Sequence, residues 1–217
     1  TLSKDIGFIT TDGFSIDFAG LTGQVHAAAM SPDGTRYAVI FSDPFTGGAT
    51  NQMTVIDLAT GSEDTLSLLA PTNDGSALDI VQFADAIDFT PDGRSVIYDA
   101  FVSLPVTNGL PFTGWTLFRY DLDTRTIGTL IDLNDGLDFG NPVMANTRSD
   151  LITYEVIPKA TGISEIFAAS LSTGAVHQIA QLQETNLVAV PSFTGDDSGI
   201  VYSWRDNNAT RGSLFIQ

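Results

Sequence analysis

The chain has 217 residues, no cysteine, and 26 acidic side chains against 9 basic ones, for a formal net charge of −17 at pH 7. The missing thiols exclude disulfides, thiolate nucleophiles and cysteine-built zinc or haem sites, and the acidic excess repels phosphate backbones and anionic lipid surfaces. Its apolar runs are only a few residues long against the ~20 that span a bilayer, so neither nucleic acid nor a membrane is expected as a partner.

In chain order, two short apolar segments, Ile6-Gly7-Phe8-Ile9-Thr10 and Phe14-Ser15-Ile16-Asp17-Phe18, come first. A repeating unit follows. The apolar run 25–30 leads into Ser31-Pro32-Asp33-Gly34 and a second run beginning at Arg36-Tyr37-Ala38-Val39. Ala86-Ile87-Asp88-Phe89 leads likewise into Thr90-Pro91-Asp92-Gly93 and Ser95-Val96-Ile97-Tyr98. Proline presets the second turn position, Asp caps the turn backbone, and Gly34 and Gly93 are expected at positive φ, closing strand–turn–strand hairpins. Weaker copies occupy Asn146-Thr147-Arg148-Ser149-Asp150 and Thr194-Gly195-Asp196-Asp197, giving four hairpins. A second signature alternates with the first: Val55-Ile56-Asp57-Leu58-Ala59-Thr60-Gly61, Arg119-Tyr120-Asp121-Leu122-Asp123-Thr124-Arg125 and Ala169-Ser170-Leu171-Ser172-Thr173-Gly174. Each ends a third strand and turns into a fourth, predicted at 64–69, 126–131 and 175–182. No stretch with a 3.6-residue period competes, so very little helix is expected.

Four short strands per unit, recurring at the length of a blade, predict an all-β chain: a β-propeller of four-stranded antiparallel blades. The Ser/Thr-Pro-Asp-Gly hairpins and Asp-Leu-x-Thr-Gly turns resemble the TolB-type, WD-like propeller repeats of exported bacterial proteins, across nearly the whole chain. The resemblance implies one domain over 1–217, with blades near 24–70, 78–131, 139–182 and 187–217. It specifies a blade better than a function, because such repeats also occur in peptidase gating domains and polysaccharide lyases. Four units are fewer than the family pattern implies, and the last ends on a third strand. Two architectures follow: part of a larger ring of about six to eight blades, or a small ring whose fourth blade is completed by N-terminal latch strands within 1–23.

Propeller geometry puts the second-to-third-strand loops and the blade linkers on one face and the tight hairpins on the other. The first face is expected to bind, because a rigid scaffold displays its loops. Its candidate contacts are Asp74, Asp79, Phe112, Trp115, Asp132, Asp135, Asp138 and Arg205. Phe112 and Trp115 flank the longest loop and offer apolar area, whereas Phe118 is expected in the core. Asp132, Asn134, Asp135 and Asp138 are the oxygen donors of a candidate calcium site, although the spacing is not that of an EF-hand.

No catalytic residue is nominated. His26 and His177 lie in different units with no metal-ligand spacing, and no nucleophile elbow is present. His26, beside Ala27-Ala28-Ala29 on an axis-lining strand, is expected as a channel-wall or satisfied core histidine rather than as a base. The resulting expectation is a non-enzymatic propeller presenting an acidic face to a protein or peptide. The start at Thr1 and the acidic, lysine-poor composition lead to the expectation of an exported protein, extracellular or periplasmic, or of an excised piece. The alternatives are a carbohydrate-active lyase or hydrolase and a structural subunit of a surface assembly.

Overall fold

The computed structural model describes residues 7–9, 15–17, 25–43, 45–68, 80–104, 112–185, 187–206 and 212–216, with the side chains of 25–43, 45–68, 81–104, 112–182, 185 and 188–203. Every regular element among them is a strand: β1 (Gly7–Ile9), β2 (Ser15–Asp17), β3 (Val25–Met30), β4 (Arg36–Phe41), β5 (Gln52–Asp57), β6 (Glu63–Ser67), β7 (Ile80–Phe89), β8 (Ser95–Leu104), β9 (Phe112–Asp121), β10 (Thr126–Ile131), β11 (Leu137–Met144), β12 (Leu151–Pro158), β13 (Ile163–Ser170), β14 (Val176–Thr185), β15 (Leu187–Phe193), β16 (Ile200–Asp206) and β17 (Gly212–Ile216).

These form three four-stranded meanders, β3-β4-β5-β6, β7-β8-β9-β10 and β11-β12-β13-β14, and a three-stranded one, β15-β16-β17. All pairings are antiparallel, joined by the hairpins that the sequence motifs mark. β1 and β2 pair with each other in a separate sheet, and among the described residues neither extends β15-β16-β17. β11 starts at Leu137, so Asp138 belongs to a strand rather than to the linker before it.

Blades stack face to face. One apolar cluster joins Ile40, Met53 and Leu66 of the first blade to Val96, Tyr98 and Phe118 of the second. The next joins Ile97 and Leu117 to Phe139, Met144 and Tyr154, and a third joins Ala145, Ile166 and Leu182 to Ala189, Phe193 and Ile200. The second strands, covered on both faces, therefore read as continuous apolar runs, while the fourth strand β6 is mostly exposed. Each such large side chain contributes about 1.5–3 kcal/mol by leaving water. The first strands β3, β7, β11 and β15 contact one another in sequence, which places them innermost.

The turn chemistry is as the motifs predict. Gly34 and Gly93 have φ of 69° and 64°. Asp33 accepts from the Ser31 hydroxyl and Thr35 N–H, and Asp92 from the Thr90 hydroxyl and Arg94 N–H. The fourth unit keeps this cap, with Asp196 accepting from the Thr194 hydroxyl and Ser198 N–H. There Asp197 takes the place of the glycine, at φ 57°.

Candidate functional site

The expected binding face carries a cavity of about 170 Å³, lined by residues of three blades. Its construction starts with two buried acids. The fifth residue of the second strand is Ile40 in the first blade, Asp99 in the second and Glu155 in the third. Asp99 and Glu155 are each 3% exposed.

Asp99 accepts from Ala86 N–H at 2.6 Å and Asp85 N–H at 3.3 Å, both within the bulge of β7, and from Asn141 N–H of the next blade at 2.9 Å. Glu155 accepts from Asn141 Nδ2 at 2.9 Å, from the Ser164 hydroxyl, and from Ala189 N–H of the fourth blade at 2.7 Å. Each acid thus ties its own blade to the inner strand of the next, and Asn141 joins the two. A left-handed φ of 49° at Asn141 and a bulge in β11 aim its N–H and its amide at different carboxylates. Gly140 leaves room for this, because a Cβ there would lie 3.2 Å from Asp99 Oδ2. Asp88 makes a further tie, accepting from Met144 N–H at 2.8 Å. Burial pushes the Asp99 carboxyl up to about 7 and the Asp88 carboxyl up to about 6, against the opposing pull of their backbone donors.

The wall nearer the loops is aromatic. Trp115 meets Phe83 and Phe101 edge-on at 5.3 and 5.7 Å, and those two rings stack at 5.4 Å. Asp138 Oδ1 accepts from Trp115 N–H at 2.9 Å and lies 3.4 Å from Lys159 Nζ. Lys159 in turn donates to Thr113 O and sits 5.9 Å above the Phe112 ring. Gly114 permits this approach, since a Cβ there would stand 2.9 Å from Asp138 Oδ1 and 3.0 Å from Lys159 Nζ. On the axis side, His26 Nε2 lies 2.6 Å from Asp85 Oδ1, pairing the inner strands of the first two blades.

Three of the expected contacts therefore come together: Phe112, Trp115 and Asp138. Asp132 and Asp135 are exposed outside the cavity. Asn134 Oδ1 accepts from Gly136 N–H, an ordinary turn cap. Together with the engaged Asp138 this leaves no group of three acidic or histidine side chains arranged as a metal site among the described residues. Asp74 and Asp79 lie outside the described residues, as does the side chain of Arg205; its backbone pairs with Val188, which lines the cavity. Phe118 is buried in the core as expected, and His26 stands on the innermost strand. Sequence reasoning missed Asp99, Glu155 and Asn141. A signal was present, since Tyr98-Asp99 and Tyr154-Glu155 repeat an acid after tyrosine at one register inside apolar strands.

No family model matches the chain, and no curated protein matches it. Solved structures do. TolB from Acinetobacter baumannii aligns over 95% of this chain and 44% of its own, with TM-score 0.64 and 20% identity. The fold is that of a TolB-like β-propeller. An oligogalacturonate lyase from Vibrio parahaemolyticus aligns over 95% of this chain and 54% of the lyase, with TM-score 0.53 and 14% identity. The β-propeller domain of the Trilobed protease from Pyrococcus furiosus, which has an open velcro topology, aligns over 94% and 56%, with TM-score 0.52 and 15% identity. The chain spans about half the length of these structures.

Proposed function

We propose that this TolB-like propeller is a non-catalytic module of an exported protein, acting in the periplasm or outside the cell. Its loop-and-linker face binds a protein or peptide. The observation that carries the reading is the cavity on that face, where a half-buried Trp115 and apolar side chains surround a few convergent polar groups. The acids at its base support a binding role over catalysis, because Asp99 and Glu155 are engaged by backbone N–H groups of neighbouring strands. No helix among the described residues is long and apolar enough to cross a membrane.

Panning the native 217-residue chain against a random peptide library and an oligosaccharide array tests this reading. Peptides whose affinity falls about tenfold or more in a folded Trp115→Ala variant support it. Selection of oligosaccharides alone would replace it with the carbohydrate-active alternative.

A further inference from the structure

The make-up of the cavity specifies what it takes, an inference that rests on the loop-and-linker face being the binding surface. Trp115, Phe139, Ile157 and Val188 give it apolar walls. Asp99 and Glu155, nearly fully buried, lie at its base, while the more exposed Asp85 and Asp138 stand at its mouth. The described lining holds four carboxylates and no basic side chain. Two of the four already have a side-chain partner: Lys159, at the rim, lies beside Asp138 and donates to Thr113 O, and His26 Nε2 lies 2.6 Å from Asp85 Oδ1. A cavity of about 170 Å³ is below the roughly 300–1,000 Å³ of drug-sized sites and suits one long side chain rather than a run of sugar rings.

An apolar stem carrying a terminal cation matches walls and base together. The stem replaces water against Trp115, Ile157 and Val188, and the charged head reaches the carboxylate field with the indole alongside. Asp99 and Glu155 are already bonded to the backbone of the next blade and line the base, while Asp85 and Asp138 can accept a cation directly through the carboxylate oxygens not engaged by His26 or Lys159. The net charge of −17 adds long-range attraction for a basic segment. The geometry points to this cavity as the receptor for a single lysine or arginine side chain of a peptide segment in the partner protein.

Calorimetric titration of the native chain with blocked pentapeptides Ala-Ala-X-Ala-Ala, where X is lysine, arginine, norleucine or citrulline, tests the assignment. The lysine or arginine peptide is expected to bind about tenfold or more tighter than its neutral counterpart, and more weakly as salt is added. Asp85→Asn and Asp138→Asn, both at partly exposed positions, should each lower that affinity several-fold, and Ile157→Trp should block binding by filling the cavity. Equal binding of the norleucine peptide, absence of binding by both cationic peptides, or indifference to all three substitutions overturns the assignment. Library peptides that need Trp115 but carry no basic residue would overturn it too, while leaving the binding role of the face intact.

Discussion

Asp197 shows how a turn motif can lose its glycine and keep its geometry. At Gly34 and Gly93 the absence of Cβ makes the left-handed conformation inexpensive, whereas Asp197 adopts φ 57° with a side chain attached. What offsets the strain is contact with the neighbouring blade, because its carboxylate accepts from both N–H groups of Asn146 and Thr147 and from the Thr147 hydroxyl. The open turn at Gly34 has no such compensation: a Cβ there meets nothing within 4 Å. Gly34→Val is therefore expected to lower stability by about 1–3 kcal/mol through backbone strain alone. Gly195→Val, at an equally open site without positive φ, should change it little. Urea denaturation of the two variants checks this, and equal midpoints would contradict the strain account.

Strands meet their neighbours in two ways here, by apolar stacking of blade faces and by acids that reach from one blade into the backbone of the next. The second kind is sparse and directional. Losing the Glu155 carboxylate leaves the buried Ala189 N–H without its acceptor and frees Asn141 Nδ2 from one of two partners, the other being Ala189 O. Glu155→Ala should cost about 1–3 kcal/mol for each orphaned donor, and Glu155→Gln, which keeps one acceptor oxygen, clearly less. Chemical denaturation separates these outcomes, and equal losses in the two variants would show that a single acceptor oxygen does not preserve the tie between the blades.

Two populations of carboxylates pull stability in opposite directions with pH. Asp33 and Asp196 are held down to about 2 by hydroxyl and backbone donors in the hairpins, so their contribution is present above pH ~4 and lost on acidification toward 2. Asp88 and Asp99 are raised to about 6 and about 7 by burial, so their contribution is full below pH ~4 and lost as pH rises through 6 and 7. The melting temperature of the chain is expected to peak at pH ~4 and fall toward pH ~7, and the self-repulsion of 17 net negative charges adds to that fall. Asp99→Asn should flatten the alkaline side of the profile. A melting temperature that rises from pH 5 to pH 8 would refute the burial account of both acids.

Much of the architecture was legible because a hairpin is written in contiguous residues. Ser31-Pro32-Asp33-Gly34 and Thr90-Pro91-Asp92-Gly93 carry their own caps and φ requirements, and the Asp57 and Asp121 turns close in the same local way. Strand number, order and the antiparallel meander follow from such signals, as does the expectation that Phe118 is core and His26 lines the inner strand. The cavity did not follow, for a physical reason. The partners of Asp99 and Glu155 are backbone N–H groups of the next blade, and a backbone donor has no letter in the sequence. Phe112, Trp115 and Asp138 are legible as members of one face, but only the stacking of the second blade against the third sets Asp138 on Trp115 N–H and Lys159 on Thr113 O. Local turn chemistry settled the blades, whereas blade-to-blade packing alone decided which carboxylates were buried, which stayed at the mouth, and where the cavity opened.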